Sequence, residues 1–297
     1  MKHIFRERQQ PVVLHDLDQR NPFNWDIMER KLAIMETGEE IKGYKGIFRD
    51  DNGIILNVAK DSYHPISNTD FGEIIAGFEK VGCRIERSGE FSDGKITYVQ
   101  MGNTLLPNFE VQKDDLVRSM ITVVNSHNGA VALRTMLTTI RIVCSNTFSL
   151  VLKQGKNMFD NIRHTKSAPI RLEALRLGID DMAMSVREVE RVFKQFHESK
   201  IEDIRASRIL KHVFKMKNTL PEGDRWGDET DEFYGLTTKG ENMLHDLKFE
   251  YEDSGAYGTA WGVFNAVTAY ARKYPSDLVG HGHAVRQRAY NILQQHS

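Results

Sequence analysis

Val123–Thr147 reads VVNSHNGAVALRTMLTTIRIVCSNT. Two apolar, β-branched runs flank the polar tetrad Ser126-His127-Asn128-Gly129, and Asn and Gly accept the left-handed backbone angles of a tight turn. The spacing predicts strands over 116–125 and 130–140 joined across that turn. A link this short requires antiparallel neighbours. The stretch closes on Arg141, Cys144 and Asn146 and carries no complete catalytic set.

Upstream, the same logic repeats. Tyr44–Phe48 and Ile54–Val58 flank Asp50-Asp51-Asn52-Gly53, and Asn-Gly is the strongest short hairpin signal. Cys83–Glu90 and Lys95–Met101 flank Ser92-Asp93-Gly94. Between these hairpins the pattern predicts a helix over 68–81. Asn68 or Thr69 would cap it, and Phe71, Ile74, Ile75 and Phe78 would share one side. A short helix is also expected after Asn24, because Trp25, Met28, Leu32 and Met35 fall at helical spacing. Ser145 or Asn146 is expected to cap another helix through Phe148, Leu150 and Leu152.

Beyond Pro169 the chain reads as helical. Val189, Phe193 and Phe196 recur at i, i+4 and i+7 over 170–217. Further helices are expected over 256–273 and 284–295. Residues 221–255 are acidic and glycine-bearing and read as a long loop or insertion. The expected class is α+β: an N-terminal arm over 1–20, a core of antiparallel sheet with packed helices (hairpin, helix, sheet, helix) over 21–168, and a helical C-terminal part over 169–297.

The chain has 297 residues, is 40% apolar and 27% charged, and carries a net charge of −1. That is an ordinary globular balance. No apolar run approaches the roughly 20 residues of a membrane helix. MKHIFRERQQ is no secretory signal, and two cysteines, Cys83 and Cys144, make no disulfide framework. These readings imply a cytoplasmic protein with no membrane partner.

Charge is unevenly placed. Arg134, Arg141, Lys153, Lys156, Arg163, Lys166, Arg171 and Arg176 face only Asp160 and Glu173, a net of +6 over 134–176. Over 222–253 eleven acids face three bases, a net of −8. Such asymmetry fits a polyanion site beside an acidic region. Two solvated faces that pair with each other explain it equally well. Arg134 and Arg141 lie an odd seven residues apart, which puts them on opposite faces of a regular strand. Arg163-His164-Thr165-Lys166-Ser167 is the better phosphate patch, set in a polar link between two expected helices. Tyr63, Tyr98, Phe148 and Phe159 could stack on bases, although single aromatics are more often core.

The chain resembles DUF 932, a phage- and plasmid-borne family of uncharacterised proteins. The matching pieces are Asn125-Ser126-His127-Asn128-Gly129, Arg141-Ile142-Val143-Cys144-Ser145-Asn146-Thr147, Ile162-Arg163-His164-Thr165, Phe264-Asn265-Ala266-Val267-Thr268 and Gly280-His281-Gly282. They lie in family order over most of the chain. By layout alone, a curved antiparallel sheet on a helix is also similar to ring-forming single-strand annealing proteins, which implies homo-oligomer assembly. Fold by itself does not fix function.

Searches for chemistry return little. There is no phosphate-binding loop ending in Lys-Ser or Lys-Thr and no dinucleotide fingerprint. Cys144 with His127 or His164 would make a nucleophile and base, yet Ile142-Val143-Cys144 looks like a buried strand end. His281-Gly282-His283 is a loose pair far in sequence from His245, His127 and His164, so no metal site is assigned. No cofactor and no catalytic residue are assigned either.

The leading expectation is therefore a phage- or plasmid-type nucleic-acid-binding protein that binds or anneals single-stranded DNA without catalysis. Its contacts would be Arg134, Arg141, Lys153, Lys156, Arg163, His164, Lys166 and Arg171. One rival is a protein-interaction factor using the acidic segment. Another is an enzyme of unknown reaction around His127, Arg141 and Cys144.

Overall fold

The computed structural model describes residues 22–131, 133–141, 146–150, 160–162, 172–216, 236–272 and 280–296. Antiparallel sheets and helices make an α+β fold, with the helices gathered in the C-terminal part. The chain divides into two units, each assembled from three separate stretches. One comprises 1–106, 120–137 and 152–183; the other comprises 107–119, 138–151 and 184–297.

In the first unit, β1 (Ile27–Ala33), β2 (Glu40–Arg49) and β3 (Ile55–Lys60) form an antiparallel sheet in that order. The β2–β3 hairpin turns where Asn52-Gly53 predicts, and Gly53 takes φ 73°. The helix expected after Asn24 is instead β1, paired with β2 from Ile27↔Arg49 to Ala33↔Glu40. Of the four residues that suggested a helix, Trp25 is buried while Met35 is 96% exposed, so they share no buried stripe.

Helix α1 (Asn68–Lys80) follows. Its cap is Ser67, whose hydroxyl accepts from Asp70 N–H while the Asp70 carboxylate accepts from Ser67 N–H. This reciprocal box satisfies two donors that a helix start leaves orphaned. The apolar side of α1 (Phe71, Ile75, Phe78) is buried, and α1 packs beside β4 (Cys83–Phe91). Strand β4 pairs with β5 (Ile96–Asn103), and β5 pairs in register with β7 (Leu116–Ser126) from Ile96↔Ser126 to Met101↔Ile121. Val99, Met101, Ile121 and Val123 are completely buried. Each such side chain contributes roughly 1.5–3 kcal/mol by leaving water.

The larger sheet runs β10 (Asp160–Ile162), β8 (Leu133–Arg141), β7, β5, β4. Two further strands join it: β6 (Phe109–Glu110) beside β7, and β9 (Asn146–Leu150) beside β8. Strand β9 replaces the helix expected after Ser145. Strands β7 and β8 are divided between the units, as is helix α2 (Leu172–Glu198).

The second unit is mainly helical: the later part of α2, α3 (Asp203–Phe214), α4 (Thr238–Glu252), α5 (Ala260–Ala271) and α6 (His281–His296). Phe193 is its hub. The ring lies 4.7 Å from Trp261, 5.3 Å from Phe264 and 6.3 Å from Phe196, centroid to centroid. These are tilted or stacked pairs of the kind worth about 0.5–1.5 kcal/mol beyond area burial. Gly262 is needed in α5 because a methyl there would collide with the Ala256 carbonyl.

The acidic stretch is not a loop throughout. Residues 238–252 form α4, capped by Thr237 and held by buried Leu244, Leu247 and Tyr251 at i, i+3 and i+7. No helix among the described residues is long and apolar enough to cross a membrane.

Candidate functional site

The three-stranded sheet has two unlike faces. Register fixes them, because directly paired residues share a side. One face holds Ile47, Arg49 and Leu56, at 0%, 8% and 2% exposure. Arg49 is clamped there. Its guanidinium donates to Asp51 and to Glu90 at 2.7–2.9 Å and lies 4.0 Å from the Trp25 ring. Burial pulls the Arg49 pKa down, but these carboxylates outweigh it and leave it above its ordinary value.

The other face is open. The pairs Met28↔Phe48, Arg30↔Gly46, Gly46↔Val58, Tyr44↔Lys60 and Phe48↔Ile55 place these side chains together. Tyr44, Ile55 and Val58 are 46%, 46% and 52% exposed. Arg30 and Lys60 are exposed, and none of the residues in these five pairs is a carboxylate. Gly46 decides the relief. A methyl in its place would collide with the Phe48 ring, so the missing side chain lets Phe48 lie across the strand. The Arg30 guanidinium sits 5.7 Å over that ring. Aromatics flanked by cations on an open sheet can stack bases and meet the intervening phosphates.

The turn that opened the sequence reading is built inward. Asn125, Ser126 and His127 are fully buried. Ser126 Oγ donates to Val131 O at 2.6 Å, Asn128 Oδ1 accepts from Ala130 N–H, and Gly129 takes φ 70°. His127 Nε2 lies 3.2 Å from Asn68 Oδ1, and its ring meets Trp25 edge-on at 5.5 Å. Asn68 also donates to Trp25 O. The turn therefore ties the start of α1 to the chain entering β1. Nearby Tyr63 is pushed up to about 12 by burial.

Arg141, expected as a phosphate contact, is committed inside the second unit. Its Nε and Nη2 meet the two carboxylate oxygens of Asp115 at 2.5 and 2.8 Å, and Nη1 donates to Ser254 O at 2.8 Å. Trp261 Nε1 donates to Asp115 at 2.9 Å. Arg141 is 6% exposed and Asp115 2%. A cavity of about 10 Å³ adjoins them, lined by Arg141, Trp261, Asn265 and Thr268 among others. That is the room of a single water. Asn265 Nδ2 donates to Trp261 O within α5.

Of the remaining expected contacts, Arg134 is half-buried on β8, opposite Asp160. Lys153, Lys156, Arg163, His164, Lys166 and Arg171 lie outside the described residues, as do Cys144 and Phe159. Asn146 begins β9. Tyr98 is taken up by Phe91, stacked at 5.1 Å. His127 and Arg141 fall in different units. Cys83 is buried, and desolvation pushes its thiol up, the opposite of an activated nucleophile. No cluster of three or more metal-ligating side chains occurs among the described residues. The residues of the open face were missed in sequence. Their signal was the alternation Tyr44, Gly46, Phe48 beside Met28 and Arg30.

A family model described as "Domain of unknown function (DUF932)" matches residues 55–295. The chain belongs to the DUF932 family. The match covers all of β3 and every later element except the last residue of α6, so Arg141, Asp115 and Asn265 lie within the DUF932 region. The β1–β2 part of the open face precedes it. No curated protein and no solved structure matches the chain.

Proposed function

We propose that this DUF932 protein is a non-catalytic nucleic-acid-binding protein, of the phage and plasmid type, that takes single strands on the open face of its N-terminal sheet. The observation that carries the reading is the composition of that face: Tyr44 and Phe48 with Arg30 and Lys60, and no carboxylate among the five pairs that hold them. Stacking is sequence-tolerant because every base has a π-face, and it favours unpaired bases over a duplex. With Arg141 set aside as the partner of Asp115, the 134–176 segment still holds seven bases against two acids, further cations for a phosphate backbone. Annealing of complementary strands is the activity that the sheet-and-helix layout favours.

The test is a salt titration of binding to single-stranded and double-stranded DNA, with the mass of the free protein measured alongside. Preferential single-strand binding that weakens steeply with salt is expected. No binding even at low salt would sink the proposal, and the open apolar face would then be a protein-docking surface.

A further inference from the structure

The three-stranded sheet ends in β3, and no strand among the described residues pairs with its outer edge. The phase of the hydrogen bonds tells which groups face outward. Asp61 N–H donates to Gly43 O, one step beyond the Tyr44↔Lys60 pair. Bonded pairs alternate along an antiparallel ladder, so Asn57 and Ala59 also turn their backbone groups to β2, while Val58 and Lys60 turn theirs outward. The register shift of β3 falls between Ile55 and Asn57, which leaves Val58 in the regular part. Neither backbone group of Val58 has a hydrogen-bond partner among the described residues. Lys60 O accepts from Tyr63 N–H, where the chain turns.

The two edges of this sheet are unequal. Strand β1 carries Glu29-Arg30-Lys31, three consecutive exposed charges of the kind that shield an edge strand. Strand β3 follows Ile54 and has no charged residue before Lys60, and Ile54, Ile55 and Val58 are exposed. An apolar, β-branched edge with open backbone groups is a template for another strand. The strand that fits is β3 itself. An uncharged seam gives a foreign peptide no charge to be selected by, whereas β3 reversed about Val58 is its own complement. Each Val58 N–H then meets the other Val58 O, the two valines pair on the open side, and Asn57 pairs with Ala59. Lys60 falls opposite Leu56 and Asp61 opposite Ile55, so no like charges are opposed.

We infer that two copies of this chain join β3 to β3 in a two-fold dimer, with a six-stranded sheet running across the seam. The shielded β1 edges stop growth at two copies. The dimer stands without the proposed function, although it sets two open faces side by side.

The experiment weighs the full chain by light scattering over a concentration series, as wild type and as Val58→Pro. Proline removes the outward N–H and leaves the bonds of Asn57 and Ala59 to β2 in place. Val58→Lys, which sets two ammonium groups opposite each other, is the second variant, and circular dichroism checks each fold. Wild type is expected to be dimeric, and the dimer dissociation constant to rise about tenfold or more in both variants. Val58→Cys tests the register. Its self-pair lies at about 5.5 Å between Cα atoms, within disulfide reach. Lys60→Cys lies roughly 13 Å along the strand from its counterpart, four residues at about 3.3 Å each. Oxidation should therefore cross-link Val58→Cys and neither Lys60→Cys nor wild type, whose own cysteines are Cys83 and Cys144. A monomeric wild type overturns the inference, as does a dimer that both variants leave intact or a Lys60→Cys that cross-links as fast as Val58→Cys. Oligothymidylate binding measured on the same samples keeps the two readings apart. A dimer that binds no strand sinks the proposed function alone, and a monomer that binds one sinks the dimer alone.

Discussion

Arg141 and Asp115 form a buried fork, two parallel N–H···O bonds at 2.5 and 2.8 Å between side chains that are 6% and 3% exposed. Asp115 also accepts from Trp261 Nε1, so one carboxylate joins the strand end to α5. Removing either partner leaves the other charge buried and alone, which costs about 3–5 kcal/mol. Arg141→Met and Asp115→Leu should each lower the unfolding free energy measured by urea titration by that amount, and the double variant should recover much of it. A single Arg141→Met variant as stable as wild type would show that the fork is not structural.

The open sheet face should behave differently, because its side chains are exposed and contribute little to folding. Tyr44→Ala should leave the thermal midpoint nearly unchanged and weaken single-strand binding by roughly 1–3 kcal/mol, the worth of one stacked base. Arg30→Gln with Lys60→Gln should flatten the salt slope by about 0.7 per lost contact. An equal loss of single-strand and duplex binding in Tyr44→Ala would argue against stacking.

Gly46 gives a second handle on the same face. Its missing side chain is what lets the Phe48 ring lie across β2. Gly46→Val should lift the ring, and strand affinity should fall with only a small change in stability, since β-branched residues suit a strand. Affinity held at the wild-type level would remove Phe48 from the interface.

The sequence reading succeeded where the physics is local. The β2–β3 hairpin rests on Asn52-Gly53, and α1 on a polar cap before an apolar stripe. It failed where remote partners decide. Trp25, Met28, Leu32 and Met35 fit a helical period, but hydrogen bonds to β2 make Ile27–Ala33 a strand. Phe148, Leu150 and Leu152 are spaced by two, the period of a strand, and the capping signal at Ser145 and Asn146 outweighed it. Arg141 looked like a free cation because its partner, Asp115, is 26 residues away and unremarkable in sequence. In the acidic segment, repulsion was counted and the Leu244, Leu247, Tyr251 stripe was not. The open face was illegible for the same reason: it exists only once three strands are in register.

Alkaline pH should expose the packing of both units. Burial pushes Tyr63 in the first unit and Tyr290 in the second up to about 12, against an ordinary phenol near 10. The folded state thus holds these protons more tightly than the unfolded chain. The associated stability is fully present below pH ~10 and is lost as pH rises through the folded values near 12. The urea midpoint should fall between pH ~10 and ~12. Phenolate absorbance from Tyr63 and Tyr290 should appear together with unfolding. Replacing Tyr63 by Phe keeps the ring and removes the ionisation, so it should reduce the slope of stability against pH in that window. A slope unchanged in both Tyr63→Phe and Tyr290→Phe would mean that neither phenol is held protonated by the fold.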